Sequence, residues 1–369
     1  MSGVVDSSQQ GKQADRGKFS ALAEHVRKYL LLYTFVSVAL AVIVGYYTMH
    51  FTAANRGLFA NLVIIFAIMT IYPSMIQLKS EGFLKELRSW KPILISVVYV
   101  FVLSPVLAFI IGPSLGPSIG TGFVVSNIVP ASSASLGYVL IAGGSIELAT
   151  ALAIVSLIVA VPFIPVVLGL YSSQTSVAIP VEPIMLSILY ILILPLIAGQ
   201  ITRYILLRWK GPVVVNKSSK KYLSLVTMLS MLALIFVMVD KEASIIITMP
   251  GLVGYLIGYQ SGIIVGILAL SLIVSKLAHL KYEDHQAVAF ISVSKNQSVA
   301  ATIAVLALSG DSVLAPAVIP MIQPVLAIVY IHLEKFVKRF LGESPEKAIY
   351  HGEEATGTEE GYLKYNEGK

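Results

Sequence analysis

Apolar runs of about twenty residues, broken by short polar stretches, repeat along nearly the whole chain. They fall near 29–48, 58–77, 93–112, 120–142, 147–170, 184–206, 222–240, 257–278, 286–309 and 312–333. A helix needs about 20 predominantly apolar residues to cross a bilayer, so the pattern predicts ten transmembrane helices. Two spans are less hydrophobic than the rest. The fourth carries Ser126, Asn127, Pro130, Ser132, Ser133, Ser135 and Gly137. The ninth carries Ser292, Ser294, Lys295, Asn296, Gln297 and Ser298. Proline inside a span, as at Pro130 and Pro195, interrupts the helical hydrogen-bond ladder. Such an interruption survives where protein groups or a cavity take up the freed carbonyl.

Composition agrees with a membrane chain. The 369 residues are 56% hydrophobic and only 12% charged, with a mean hydropathy of +0.83. A soluble domain carries about 25% charged residues. The absence of cysteine excludes disulfides, zinc-thiolate and iron–sulfur sites, and cysteine nucleophiles. The net charge of +6 does not point to nucleic acid, because its distribution follows topology. Starting with the N-terminus inside, 23 of the 26 Lys and Arg residues fall in inner segments; only Arg56 and Lys241 fall outside, and Lys295 lies within a span. This bias predicts cytoplasmic N- and C-termini for a multi-pass protein of the plasma membrane. Residues 1–28, without a signal peptide's apolar core, read as a disordered cytoplasmic tail. Residues 334–369 read as an acidic cytoplasmic tail, a short helix giving way to disorder.

Ten spans divide into five and five, 29–170 and 184–333, and an odd number per half inverts the second half. The polar fourth and ninth spans then occupy matching positions. Interrupted polar spans at equivalent places in two inverted halves mark the binding site of a secondary transporter. The expected fold is therefore an all-α, ten-helix, 5+5 inverted repeat with helices 4 and 9 broken and crossing.

Several short motifs resemble the bile acid:sodium symporter and arsenical-resistance superfamily. They are Ile71-Tyr72-Pro73, Pro130-Ala-Ser-Ser-Ala-Ser, Gly144-Ser-Ile-Glu-Leu-Ala and Lys295-Asn-Gln-Ser. Their order and spacing agree over roughly 30–333. The resemblance implies a panel domain and a core domain, with the solute and ion site where the two broken helices cross. The departures bear on coupling. Where sodium-coupled relatives carry Ser-Asn, this chain has Ser135-Leu136. Ligand hydroxyls of the next helix fall on Ala149 and Ala153, a glutamate falls near Ile291, and a glutamine falls on Lys295. Where arsenite exporters carry a cysteine, the chain has Ala131. A hard cation needs several oxygens, and many are missing here.

Lys295 is thus the central candidate. An ionisable residue at membrane depth is a functional hypothesis by default. The acidic residues fall in tails, loops and span ends, with Asp240 closing the seventh span and Glu242 just beyond it, and none lies mid-span. Three roles are open to an ammonium without a carboxylate: a tethered cation in place of sodium, a direct partner for an anionic solute, or a proton carrier. The expected site comprises Lys295, Asn296, Gln297, Ser294, Ser292, Ser298, Ser132, Ser133, Ser135, Pro130 and Asn127. Gln323 and Gln77 read as helix–helix hydrogen bonds and Tyr138 as packing. The histidines show no metal-ligand spacing, so no metal is expected. Neither catalytic residues nor a cofactor is expected. The coupling ion is H+ or Na+, the partners are a small anionic solute and lipid, and the oligomeric state stays open.

Overall fold

The computed structural model describes residues 21–26, 28–78, 86–132, 134–175, 181–213, 219–308 and 310–343. The described chain is helical. Seven helices are long and apolar enough to cross a membrane. These are α1 (Leu30–Ala54), α2 (Arg56–Gln77), α3 (Trp90–Leu115), α6 (Ile146–Ser173, running on to Thr175), α8 (Tyr222–Thr248, starting from Ser219), α9 (Pro250–Leu277) and α12 (Asp311–His332, α-helical from Leu314). The rest comes in shorter pieces. The fourth span is split into α4 (Pro117–Ile128) and α5 (Ala134–Ile141), and the ninth into α10 (Tyr282–Val293) and α11 (Gln297–Ala307). Residues 181–213 form α7, and α13 (Glu334–Leu341) follows α12.

Two prolines reshape two spans in the same way. In α3 the segment Tyr99–Leu103 is π-helical, and in α7 so is Leu189–Ile193. Each is followed at the second position by proline, Pro105 or Pro195. Proline has no N–H and its ring crowds the carbonyl four residues back, so the turn widens. The Ser104 N–H then reaches back to the Tyr99 carbonyl. Val100, five residues before Pro105, is left with a carbonyl that the helix does not use.

The helices pack as two bodies. In one, α8 lies along α1 and α2, and α7 lies along α2. The other gathers α3 to α6 with α9 to α12 around Phe123, Ile128, Leu148, Leu152, Phe290 and Ile303. They meet where Ala301, Ala304 and Ala317 of the second body pack against Val38, Val63, Leu234 and Met238 of the first. Small side chains there let the helices approach closely. Within the first body, α7 caps the end of α2. Gln200 Nε2 donates to the Met75 and Leu78 carbonyls at 2.7 and 3.1 Å, and Arg203 Nη1 to Ile76 at 3.2 Å. A buried guanidinium suits the negative end of a helix, whose last carbonyls have no partners of their own.

Two expectations change. Residues 21–26 are already helical, and Ala23 and Val26 pack on Leu225, so structure begins before residue 29. Residues 1–20 and 344–369 lie outside the described residues. The seventh span does not end at 240 but continues to Thr248. Asp240 therefore lies more than two turns inside a helix, not at the helix end, and is only 4% exposed. The charged triplet Asp240-Lys241-Glu242 interrupts the apolar pattern but not the backbone, because Thr48 and Thr52 of α1 take up the Asp240 carboxyl. His285, at the start of the ninth span, is fully buried in the first turns of α10, between Ser275 Oγ at 2.9 Å and Tyr330 Oη at 2.7 Å.

Candidate functional site

The breaks in the fourth and ninth spans are stitched to each other. Helix α4 ends at Ile128 because Pro130 cannot continue its ladder. Helix α10 ends at Val293, and Ser294 takes an extended conformation. The two extended stretches run antiparallel, with Ala131 opposite Lys295. The Ser132 N–H donates to the Ser294 carbonyl at 2.7 Å, and the Asn296 N–H to the Pro130 carbonyl at 2.9 Å. Backbone exposed by each break is thus satisfied by the other, as an apolar interior requires. Side chains complete the pairing. The Ala131 N–H donates to Ser156 Oγ of α6 at 3.1 Å. Gln323 of α12 clamps Lys295 from both sides. Its Oε1 accepts from the Lys295 N–H at 3.1 Å, and its Nε2 donates to the Lys295 carbonyl and to Ser294 Oγ, both at 3.2 Å.

Lys295 is 2% exposed. Among the described residues, no carboxylate stands within ion-pair distance of it. Its Nζ donates instead to the Val100 carbonyl at 2.8 Å, the oxygen released by the π turn before Pro105. A proline in the third span thus supplies the acceptor for a lysine in the ninth. Among the described residues, that single carbonyl leaves two of the three ammonium hydrogens without acceptors.

The remaining expected site residues divide. Asn296 caps α11, its Oδ1 accepting from the Val299 N–H at 3.4 Å. Gln297 Nε2 donates to the Ser126 carbonyl at 3.1 Å, while Gln297 Oε1 and Ser126 Oγ are buried without partners. Asn296, Gln297 and Ser298 keep 7–8% exposure, against 0–3% for Val293 and Val299 on either side. Asn127 faces away, bonded to Ser104 Oγ at 3.1 Å and Gln260 Oε1 at 3.0 Å. The Ser135 hydroxyl donates to the Ser132 carbonyl, and Ser132 Oγ accepts from the Ala134 N–H at 3.2 Å. Ser292 is buried 3.5 Å from Ser96 Oγ. Ser133 lies outside the described residues.

Sequence reasoning missed Gln260 and undervalued Gln323. Both are lone amides in otherwise apolar spans, and that was the signal available. Gln77 does make the expected interhelical bond, accepting from Ser224 Oγ at 2.9 Å. Tyr138 packs against Phe290 with ring centroids 5.9 Å apart. No group of three or more His, Cys, Asp or Glu able to hold a metal occurs among the described residues.

Among the described residues the chain is all-helical, and its two interrupted helices meet at a polar centre, as in secondary transporters. The sodium bile acid symporter family matches residues 62–249, just over half of the chain, and the protein belongs to that family, whose members are membrane transporters and not enzymes. No curated protein matches the sequence.

Proposed function

We propose that the chain is a secondary active transporter that moves a small anionic organic solute by alternating access, with Lys295 as a fixed cation in place of part of a sodium site. The proposed frame is ten transmembrane helices in two inverted halves, 29–170 and 184–333, in the plasma membrane with both termini cytoplasmic. One observation carries the reading. Lys295 is buried at the crossing, and among the described residues its ammonium meets no carboxylate and a single carbonyl. An ammonium so placed is compensated by an anion that comes and goes. The N-terminus of α11, beginning at Gln297 beside it, adds a positive helix end.

Family membership favours a second reading, conventional sodium coupling. The chain's own residues speak against it. Ala149, Ala153 and Ile291 are buried hydrocarbon where oxygens are needed, and the Ser135 hydroxyl is bonded to the Ser132 carbonyl. Transport is therefore sodium-independent or proton-coupled.

The test is thermal stabilisation of the purified protein by carboxylates, sulfonates and arsenite, at varied sodium and pH, followed by uptake in proteoliposomes. A stabilising organic anion whose uptake survives replacement of sodium by choline, and is lost in Lys295→Ala, supports the proposal. Equal uptake by the Lys295→Ala protein refutes the fixed cation. Uptake that vanishes in choline establishes the sodium-coupled reading.

A further inference from the structure

Asp240 sits more than two turns before the end of α8 at Thr248, facing α1. Its Oδ1 stands 3.3 Å from Thr48 Oγ1, and its Oδ2 stands 3.2 Å from Thr52 Oγ1. Thr48 Oγ1 also stands 2.9 Å from the Val44 carbonyl oxygen. A carbonyl can only accept, and a threonine hydroxyl has one hydrogen. The shorter contact, to Val44, takes that hydrogen. With that hydrogen directed at Val44, the longer Thr48 to Asp240 contact is a full hydrogen bond only where Asp240 itself carries a proton.

We propose that Asp240 is a proton-binding site within the membrane, held here as a carboxylic acid that donates from Oδ1 to Thr48 and accepts at Oδ2 from Thr52. The surroundings fit a neutral acid. On α1 the facing residues are Gly45, Thr48 and Thr52, none charged; His50 on the same helix is not buried. The approach is close, since a Cβ on Gly45 would stand 2.6 Å from the Asp240 carbonyl oxygen. On α8 itself, the Lys241 ammonium is engaged by Glu242 at 3.3 Å. Arg56, at the start of α2, and Asp311, at the start of α12, act on Glu242. The other charged groups of α9 and α12, Lys276 and His332, lie at the far ends of those helices, and α11 carries none. A lone carboxylate in so dry a place would be costly, whereas the acid form makes both hydrogen bonds. Val237, Met238 and Val239, just before Asp240, belong to the cluster that joins the two bodies through Ala301 and Ala317. Losing the proton would place a charge at that joint. A role as the coupling proton site rests on the transporter reading, whereas occupancy by a proton does not.

Infrared difference spectroscopy of the reconstituted full chain reads the proton directly, with no solute present. The expected result is a protonated carboxyl band at neutral pH that is missing in Asp240→Asn and moves in Asp240→Glu. Thr48→Val decides the direction of the hydrogen bond. Removing an acceptor weakens the acid form, so the band should vanish at a pH about one unit lower. Removing a donor would instead raise that pH. Absence of an Asp240 band at neutral pH, or an upward move in Thr48→Val, overturns the proposal. If no solute is ever transported but the band behaves as described, the proton site stands and the transport reading falls.

Discussion

Truncating Gln323 to alanine should loosen the break in the ninth span without touching its charge. The side chain makes three hydrogen bonds there, two of them to the Lys295 N–H and carbonyl. Those backbone groups are buried, and no helix supplies substitutes. Two bounds set the magnitude. Interhelical side-chain hydrogen bonds in membranes average about 0.6 kcal/mol, which puts three near 2 kcal/mol. Leaving a buried donor and a buried acceptor unpaired costs about 1–3 kcal/mol each, or roughly 2–6 kcal/mol together. The unpaired backbone dominates, because alanine cannot replace either partner. The expected loss is therefore about 2–4 kcal/mol, a fall in Tm of about 3–5 °C for a chain of this size. Thermal unfolding in detergent, followed by tryptophan fluorescence or loss of monodispersity, measures it. Gln323→Glu should recover part of the loss, since one carboxyl oxygen still accepts from the Lys295 N–H. A Gln323→Ala protein within about 1 °C of wild type would refute the reasoning, as it would show that the break satisfies its own backbone.

Lys295→Met replaces the ammonium by an apolar side chain of similar length. Uptake should be lost while Tm stays level or rises, because a buried charge is expensive to keep; a marked fall in Tm would make the lysine structural. Pro105→Ala restores an N–H that can bond the Phe101 carbonyl. The π turn should then tighten, the Ser104 N–H should return to Val100, and Lys295 should lose its acceptor. That charge-assisted bond is worth about 1.5–3 kcal/mol, so uptake should fall at least about tenfold with the protein still folded. Gly122→Ala would set a Cβ 1.9 Å from the Ser312 carbonyl oxygen. Backbone there cannot step aside, so a loss of about 3 kcal/mol or outright misfolding is expected in the same unfolding assay.

The breaks themselves were legible in the chain. Pro130 and the run from Ser292 to Ser298 interrupt apolar spans, and the structure opens both helices at those places. Individual polar residues were harder to rank. Asn127 and Ser135 looked equivalent to Asn296 and Gln297, yet the first two bond inward to Gln260 and Ser132, and the last two line the less buried edge. Sequence spacing gives the distance of a residue from a break but not which neighbouring helix it faces. The end of the seventh span was misjudged for a related reason. Hydropathy ends the span at Asp240, since it cannot register that two threonines of α1, far away in sequence, meet its carboxyl.

By itself, the order of apolar and polar residues determined that this chain lives in a bilayer, where its helices run, and that two of them are interrupted. It also showed that one interruption carries a lysine. Those are local consequences of transfer free energy and of proline chemistry, and they need no partner. Only the tertiary structure decided what the lysine touches. The Val100 carbonyl is free because Pro105 widens a turn in a different helix, and it lies within reach because the two breaks pair with each other. In a medium without water every backbone group needs a protein partner, and which partner it finds depends on how the helices pack.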